Sequence, residues 1–153
     1  SKREFTYRHV LWQAREAGVP LRFPPKHPFN PLPALRLCIA AGASAASIDA
    51  IYDWIWAQGR AADTLQALEP VREALGLPAG AADSDEVKAM LRTCTEIALS
   101  AGVFGVPTLA LGNALFWGND AHAFAVDVLQ DPALLEDPEM RRVAEMPVGV
   151  RRN

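Results

Sequence analysis

The segment Gly102-Val103-Phe104-Gly105-Val106-Pro107-Thr108, with Leu115-Phe116-Trp117-Gly118-Asn119-Asp120 following it, sets the architecture expected of this chain. Thr108-Leu109-Ala110-Leu111 is a short apolar run, Gly112-Asn113 is a turn pair, and Ala114-Leu115-Phe116-Trp117 is a second short run. Together they predict a tight β-hairpin. Asp120 is placed to cap a closing helix over Ala121–Leu129, which stops before Pro132. Two strands make a marginal sheet by themselves, and no earlier segment reads as a good strand. The expectation is therefore an N-terminal βαβ unit that is missing here or supplied by another chain.

Working back toward the start, the pattern is helical. Phe5, Val10, Leu11 and Ala14 recur at helical spacing over Glu4–Ala17, and Gly18 is a stop. Val19–Phe23 reads as extended. The prolines at 24, 25, 28 and 31 exclude regular helix, because each fixes φ and biases its predecessor toward extended backbone. A helix resumes over Leu32–Ala41. Ser44 or Ser47 caps the next, which sets Ile48, Ile51, Tyr52, Ile55 and Trp56 on one face and stops at Gly59. Asp63–Leu75 reads as helix, with Pro70 breaking or restarting it. Asp83-Ser84-Asp85-Glu86 resembles a capping box before a helix presenting Val87, Met90, Leu91, Cys94, Ile97 and Ala98. From Asp131 the Pro- and charge-rich tail is expected to wrap the surface or fray, with Arg151 and Arg152 solvated.

Composition narrows the function classes. A net charge of −3, with no basic stripe, gives nucleic-acid binding little support. No apolar run reaches membrane-spanning length, so no membrane partner is expected. The cysteines, Cys38 and Cys94, form no CxxC pair. That argues against a disulfide framework or a zinc site and fits a reducing, cytoplasmic setting.

Val106-Pro107-Thr108, entering a strand just after a helix and glycines, resembles the cis-proline loop of the thioredoxin superfamily. Phe116-Trp117-Gly118-Asn119-Asp120 is similar to the Phe-Trp-Gly-x-Asp stretch of bacterial 2-hydroxychromene-2-carboxylate isomerases, and the kappa-class glutathione transferases have a similar stretch. Tyr7, Trp12, Gly18–Pro24 and Pro28-Phe29-Asn30-Pro31-Leu32 to Arg36 resemble the same family's helix-to-loop passage. The resemblance runs to about Asp131. It implies an α/β, thioredoxin-like fold of DsbA/kappa type with an inserted all-helical domain. Residues 1–23 would be the remnant of the N-terminal half and linker, 24–100 the helical insertion, 101–130 the C-terminal ββα motif, and 131–153 a tail.

The same resemblance implies glutathione as cofactor, a small aromatic substrate and a homodimer. Val106, before Pro107, would offer its backbone N–H and C=O to the tripeptide as if to an added strand. Trp117, Gly118 and Asn119 would make backbone or amide contacts to the γ-glutamyl end, and Asp120 would pair with the α-ammonium. Asn30 would touch the substrate. The family's reaction is an isomerisation in which the glutathione thiolate adds to an unsaturated carbon, the adduct rearranges and the thiol leaves. The family's catalytic serine, in a Ser-Pro-Tyr-like context, matches no position here. No catalytic residue is therefore assigned within residues 1–153, and the chain by itself is expected to be inactive.

Plainer readings stand beside these. Pro107 can be an ordinary loop proline, Asn119 and Asn30 turn residues, and Trp117 a core side chain. His27 is expected to be solvent-exposed, with His9 and His122 equally uninvolved in metal binding. Cys38 and Cys94 are expected to be buried structural thiols. The rival functions are a DsbA-like thiol–disulfide oxidoreductase, a kappa-like glutathione transferase, and a non-catalytic helical interaction module.

Overall fold

The computed structural model describes residues 1–147 and Gly149, and it divides into two compact units, Ser1–Glu96 and a second that begins at Ile97. Arg151 and Arg152 lie outside the described residues.

The first unit opens on α1 (Lys2–Glu16). Ser1 caps it: its hydroxyl accepts from the Glu4 N–H, and the Glu4 carboxylate reaches back to the Ser1 amino group. The apolar spacing of α1 buries nothing, and Phe5 and Trp12 are exposed. The extended segment after it is held by the Arg22 N–H donating to the Trp56 carbonyl at 2.6 Å. Gly59, at φ +69°, lies where this segment passes. A Cβ there would stand 2.9 Å from the Arg22 Cβ and 3.1 Å from the Phe23 carbonyl.

The core of the unit lies among α2 (Leu32–Ala40), α3 (Ala45–Tyr52) and the segments after them, with Leu37, Ile51, Ile55, Leu68 and Val71 buried together. Ser44 caps α3, its hydroxyl accepting from the Ser47 N–H at 3.2 Å. Beyond Tyr52 the helix widens into a π-helical stretch, Asp53–Ala57, which periodicity did not foretell. Of the predicted apolar face, Ile51 and Ile55 are buried, whereas Tyr52 is exposed.

Three expectations need correction here. The helix predicted over Asp63–Leu75 is only α4 (Glu69–Ala74), and residues 63–68 are bends and turns. Pro70 sits in its first turn, where the missing N–H costs nothing. The proposed capping box is a single cap. The Ser84 hydroxyl accepts from the Val87 N–H at 3.3 Å and starts α5 (Asp85–Ser100), while Asp83 ends a 3-10 turn over Ala81–Asp83. No residue of α5 is buried, so Cys94 is an exposed thiol and not a core one.

The second unit contains the predicted hairpin. β1 (Thr108–Leu111) pairs antiparallel with β2 (Ala114–Trp117), Thr108 opposite Trp117 and Leu111 opposite Ala114. A 3-10 turn, Asn119–Ala121, leads into α6 (His122–Gln130), and Phe116, Ala125 and Val128 form the core between sheet and helix. The stretch after Asp131 is more ordered than predicted. Asp131 and Asp137 accept from nearby backbone N–H groups and start a 3-10 turn, Pro132–Glu136, and α7 (Pro138–Arg142).

Candidate functional site

The proline loop and the turn after β2 meet. The Gly118 N–H donates to the Pro107 carbonyl at 2.9 Å, extending the ladder one step past the Thr108–Trp117 pair. On the loop side, the Thr108 hydroxyl donates to the Gly105 carbonyl at 2.7 Å. The Trp117 indole lies over Gly105, where a Cβ would stand 2.2 Å from Nε1. Phe104 flanks the same indole at 5.4 Å between ring centroids. The Val106–Pro107 peptide bond is cis. Val106 is 86% exposed, and among the described residues its N–H and C=O make no hydrogen bond.

Asp120 does not have the cap role expected of it. Residues 119–121 wind as a 3-10 turn, which puts Asp120 inside the turn and leaves Ala121 as the residue before α6, with no side-chain cap. The Asp120 carboxylate instead folds back over Gly118. A Cβ at Gly118 would stand 2.5 Å from Oδ1, and its φ of +94° is open to glycine. Asp120 and Asn119 are both exposed, and Asp120 makes no ion pair among the described residues.

Val106, Pro107, Trp117, Gly118, Asn119 and Asp120 thus share one edge of the second unit. Asn30 belongs to the first unit, where its Oδ1 accepts from the Leu32 N–H at 3.1 Å and starts α2.

Sequence reading placed His27 in solvent, but it is half-buried among the rings of Tyr7, Phe23, Phe29 and Trp56. The Tyr7 hydroxyl lies 3.1 Å from the His27 carbonyl and 2.7 Å from Nδ1. The direction of the Nδ1 contact follows the imidazole tautomer, the hydroxyl donating to a bare Nδ1 or accepting from Nδ1–H. The spacing of Tyr7 from a proline-bracketed histidine carries no local signal for this pair. Burial raises the Cys38 thiol above its usual range. The Lys88 ammonium, by hydrogen bond and then by charge, together with the Arg36 charge, holds Asp83 below the usual carboxylate range.

Among the described residues no three or more His, Cys, Asp or Glu side chains are grouped to hold a metal ion. No described helix is long and apolar enough to cross a membrane.

Comparison with known proteins gives these features a context. The chain is 31% identical over 108 residues to the 2-hydroxychromene-2-carboxylate isomerase of Pseudomonas putida, an alignment covering 67% of this chain and 53% of that protein. The chain thus spans about half the length of that curated relative. A solved structure of 2-hydroxychromene-2-carboxylate isomerase superposes with a TM-score of 0.66 at 26% identity, covering 91% of this chain and 71% of that one. The fold is thioredoxin-like of DsbA type, helix-rich with a small two-stranded sheet. Residues 5–130 match the model of the DSBA-like thioredoxin domain, and the chain belongs to that family.

Proposed function

We propose that this chain is the glutathione-binding part of an isomerase of the 2-hydroxychromene-2-carboxylate type. The observation that carries the reading is the Gly118-to-Pro107 hydrogen bond, which fixes the free backbone of Val106 beside the Trp117–Asp120 turn. An extended tripeptide needs such a pair of features: an unpaired backbone edge, and a carboxylate where its ammonium arrives. The likeness to the Pseudomonas putida isomerase supports the choice of reaction.

The residues divide the work by their exposed groups. Val106 accepts and donates one backbone hydrogen bond each, aligning the bound tripeptide antiparallel to the loop. Asn119 offers its backbone N–H and its side-chain amide to the γ-glutamyl carboxylate, and Gly118, whose own N–H is held by Pro107, shapes the turn that presents them. Asp120 receives the α-ammonium, and its carboxylate is already turned toward Gly118. The Trp117 indole, braced on Gly105, walls the groove. Bound glutathione supplies a thiol able to add to an unsaturated carbon. Asn30, from the proline-rich loop, is proposed to contact a small aromatic substrate. A cytoplasmic homodimer belongs to the same reading.

Calorimetric titration of glutathione into the chain and into Asp120→Ala tests the assignment. Saturable binding is expected, about tenfold weaker in the variant, the effect of one charge-assisted hydrogen bond. Equal affinity would remove Asp120 from the site.

A further inference from the structure

Val106 leaves both of its backbone polar groups open, yet the residues on either side of it are tied down. After it, the Pro107 carbonyl accepts from the Gly118 N–H at 2.9 Å. Before it, the Gly105 carbonyl accepts from the Thr108 hydroxyl at 2.7 Å. Gly105 carries a further restraint. The Trp117 indole occupies the place of its missing side chain, where a Cβ would stand 2.2 Å from Nε1, 2.9 Å from Cδ1 and 3.0 Å from Cε2. No side chain shares that space unless the indole leaves it.

Gly105 is not among the glycines with positive φ, so its backbone conformation does not call for glycine. The close approach of the indole does. Trp117 is 54% exposed and its neighbour Phe104 is 74% exposed, and neither ring joins the core of Phe116, Ala125 and Val128. The indole's packing is thus spent on the loop. Two successive residues at the end of β2 hold that loop on both sides of Val106, Trp117 by its ring on Gly105 and Gly118 by its N–H on Pro107. A backbone edge fixed in this way does not have to be ordered when a ligand arrives.

We infer that Trp117 is a positioning residue: its indole, seated on Gly105, holds the loop so that the Val106 N–H and C=O stand in the geometry an added strand requires. The use of that edge for glutathione rests on the reading above. The positioning itself does not, and it is measurable without ligand.

Backbone relaxation by NMR and calorimetric titration of glutathione, on the parent, Gly105→Ala, Trp117→Leu and the double variant, test the inference. In the ligand-free parent, Val106 is expected to be rigid despite its exposure, with an order parameter of about 0.85. Gly105→Ala should displace the indole, shift the Trp117 Nε1–H signal and lower the Val106 order parameter below about 0.6. Its melting temperature should stay close to the parent's, because no core residue changes. Trp117→Leu should loosen Val106 to the same extent, and adding Gly105→Ala to it should change nothing further. Glutathione affinity should fall about tenfold in Gly105→Ala, the cost of ordering a released loop. It should be no weaker in the double variant than in Trp117→Leu. A mobile Val106 in the parent, an unmoved Val106 in Gly105→Ala, additive effects in the double variant, or a loosened Val106 with unchanged affinity would each overturn the inference. A rigid Val106 in a parent that takes up no glutathione, with the variants loosening it as expected, would uphold the positioning role and overturn the glutathione reading instead.

Discussion

The core of the first unit and the hairpin edge of the second show opposite uses of apolar sequence. In the first, Leu37, Ile51 and Leu68 from separate segments close on one another, and backbone donors are spent on caps. In the second, one face of the hairpin buries Phe116 against Ala125 and Val128, while Phe104, Val106, Leu109 and Trp117 remain exposed. Exposed residues scattered singly need no explanation, whereas four on one loop and hairpin make a candidate contact surface. Apolar residues that hold the fold together are thus separable from those that offer a site, and substitution can test the separation.

The sharpest contrast lies within the hairpin. Phe116→Ala removes the ring packed edge-on against Phe124 at 5.1 Å and should cost about 3–5 kcal/mol. Its neighbour Leu109→Ala, on an exposed position, should change stability by less than about 0.5 kcal/mol. Leu37→Ala in the other core should cost about 2–5 kcal/mol. Urea denaturation of the three variants checks the order, and a Leu109 effect equal to that of Phe116 would erase the distinction. Ser44→Ala, which strips the α3 cap, should cost about 1 kcal/mol.

The smallest effect is electrostatic. Asp83 is held low in the folded state by Lys88 first and Arg36 second. A carboxylate lowered in this way contributes stability above its unfolded value, near 3.9, and loses it as pH falls through the folded value. Asp83→Asn should therefore differ slightly from the parent at pH 7, and the difference should shrink as pH falls below about 4. Urea midpoints measured across that range give the sign, and a gap that widens in acid would refute it.

Some of this was legible from sequence because it is local. The hairpin 108–117 announces itself by two apolar runs around Gly112-Asn113, and the helix stops at Gly18 and Gly59 by glycine chemistry. The misreadings came from nonlocal competition. Residues 63–68 have helical periodicity, yet Leu68 and Ala62 are drawn into a core that a continuous helix need not reach. Asp120 has the residue type of a cap, but the chain tightens into a 3-10 turn straight after Gly118, which takes Asp120 inside the turn. The candidate site was readable as a motif. Its geometry was not, because the contact between Gly105 and the Trp117 indole joins residues that no period relates.

Hydrogen exchange and chemical shift at the Val106 amide, followed as glutathione is added, bear most directly on the proposed groove. An occupied groove slows exchange at Val106 and moves its signal together with those of Gly118 and Asn119, over one saturation curve. A Val106 amide that stays fast-exchanging and unmoved at saturating glutathione would contradict the account.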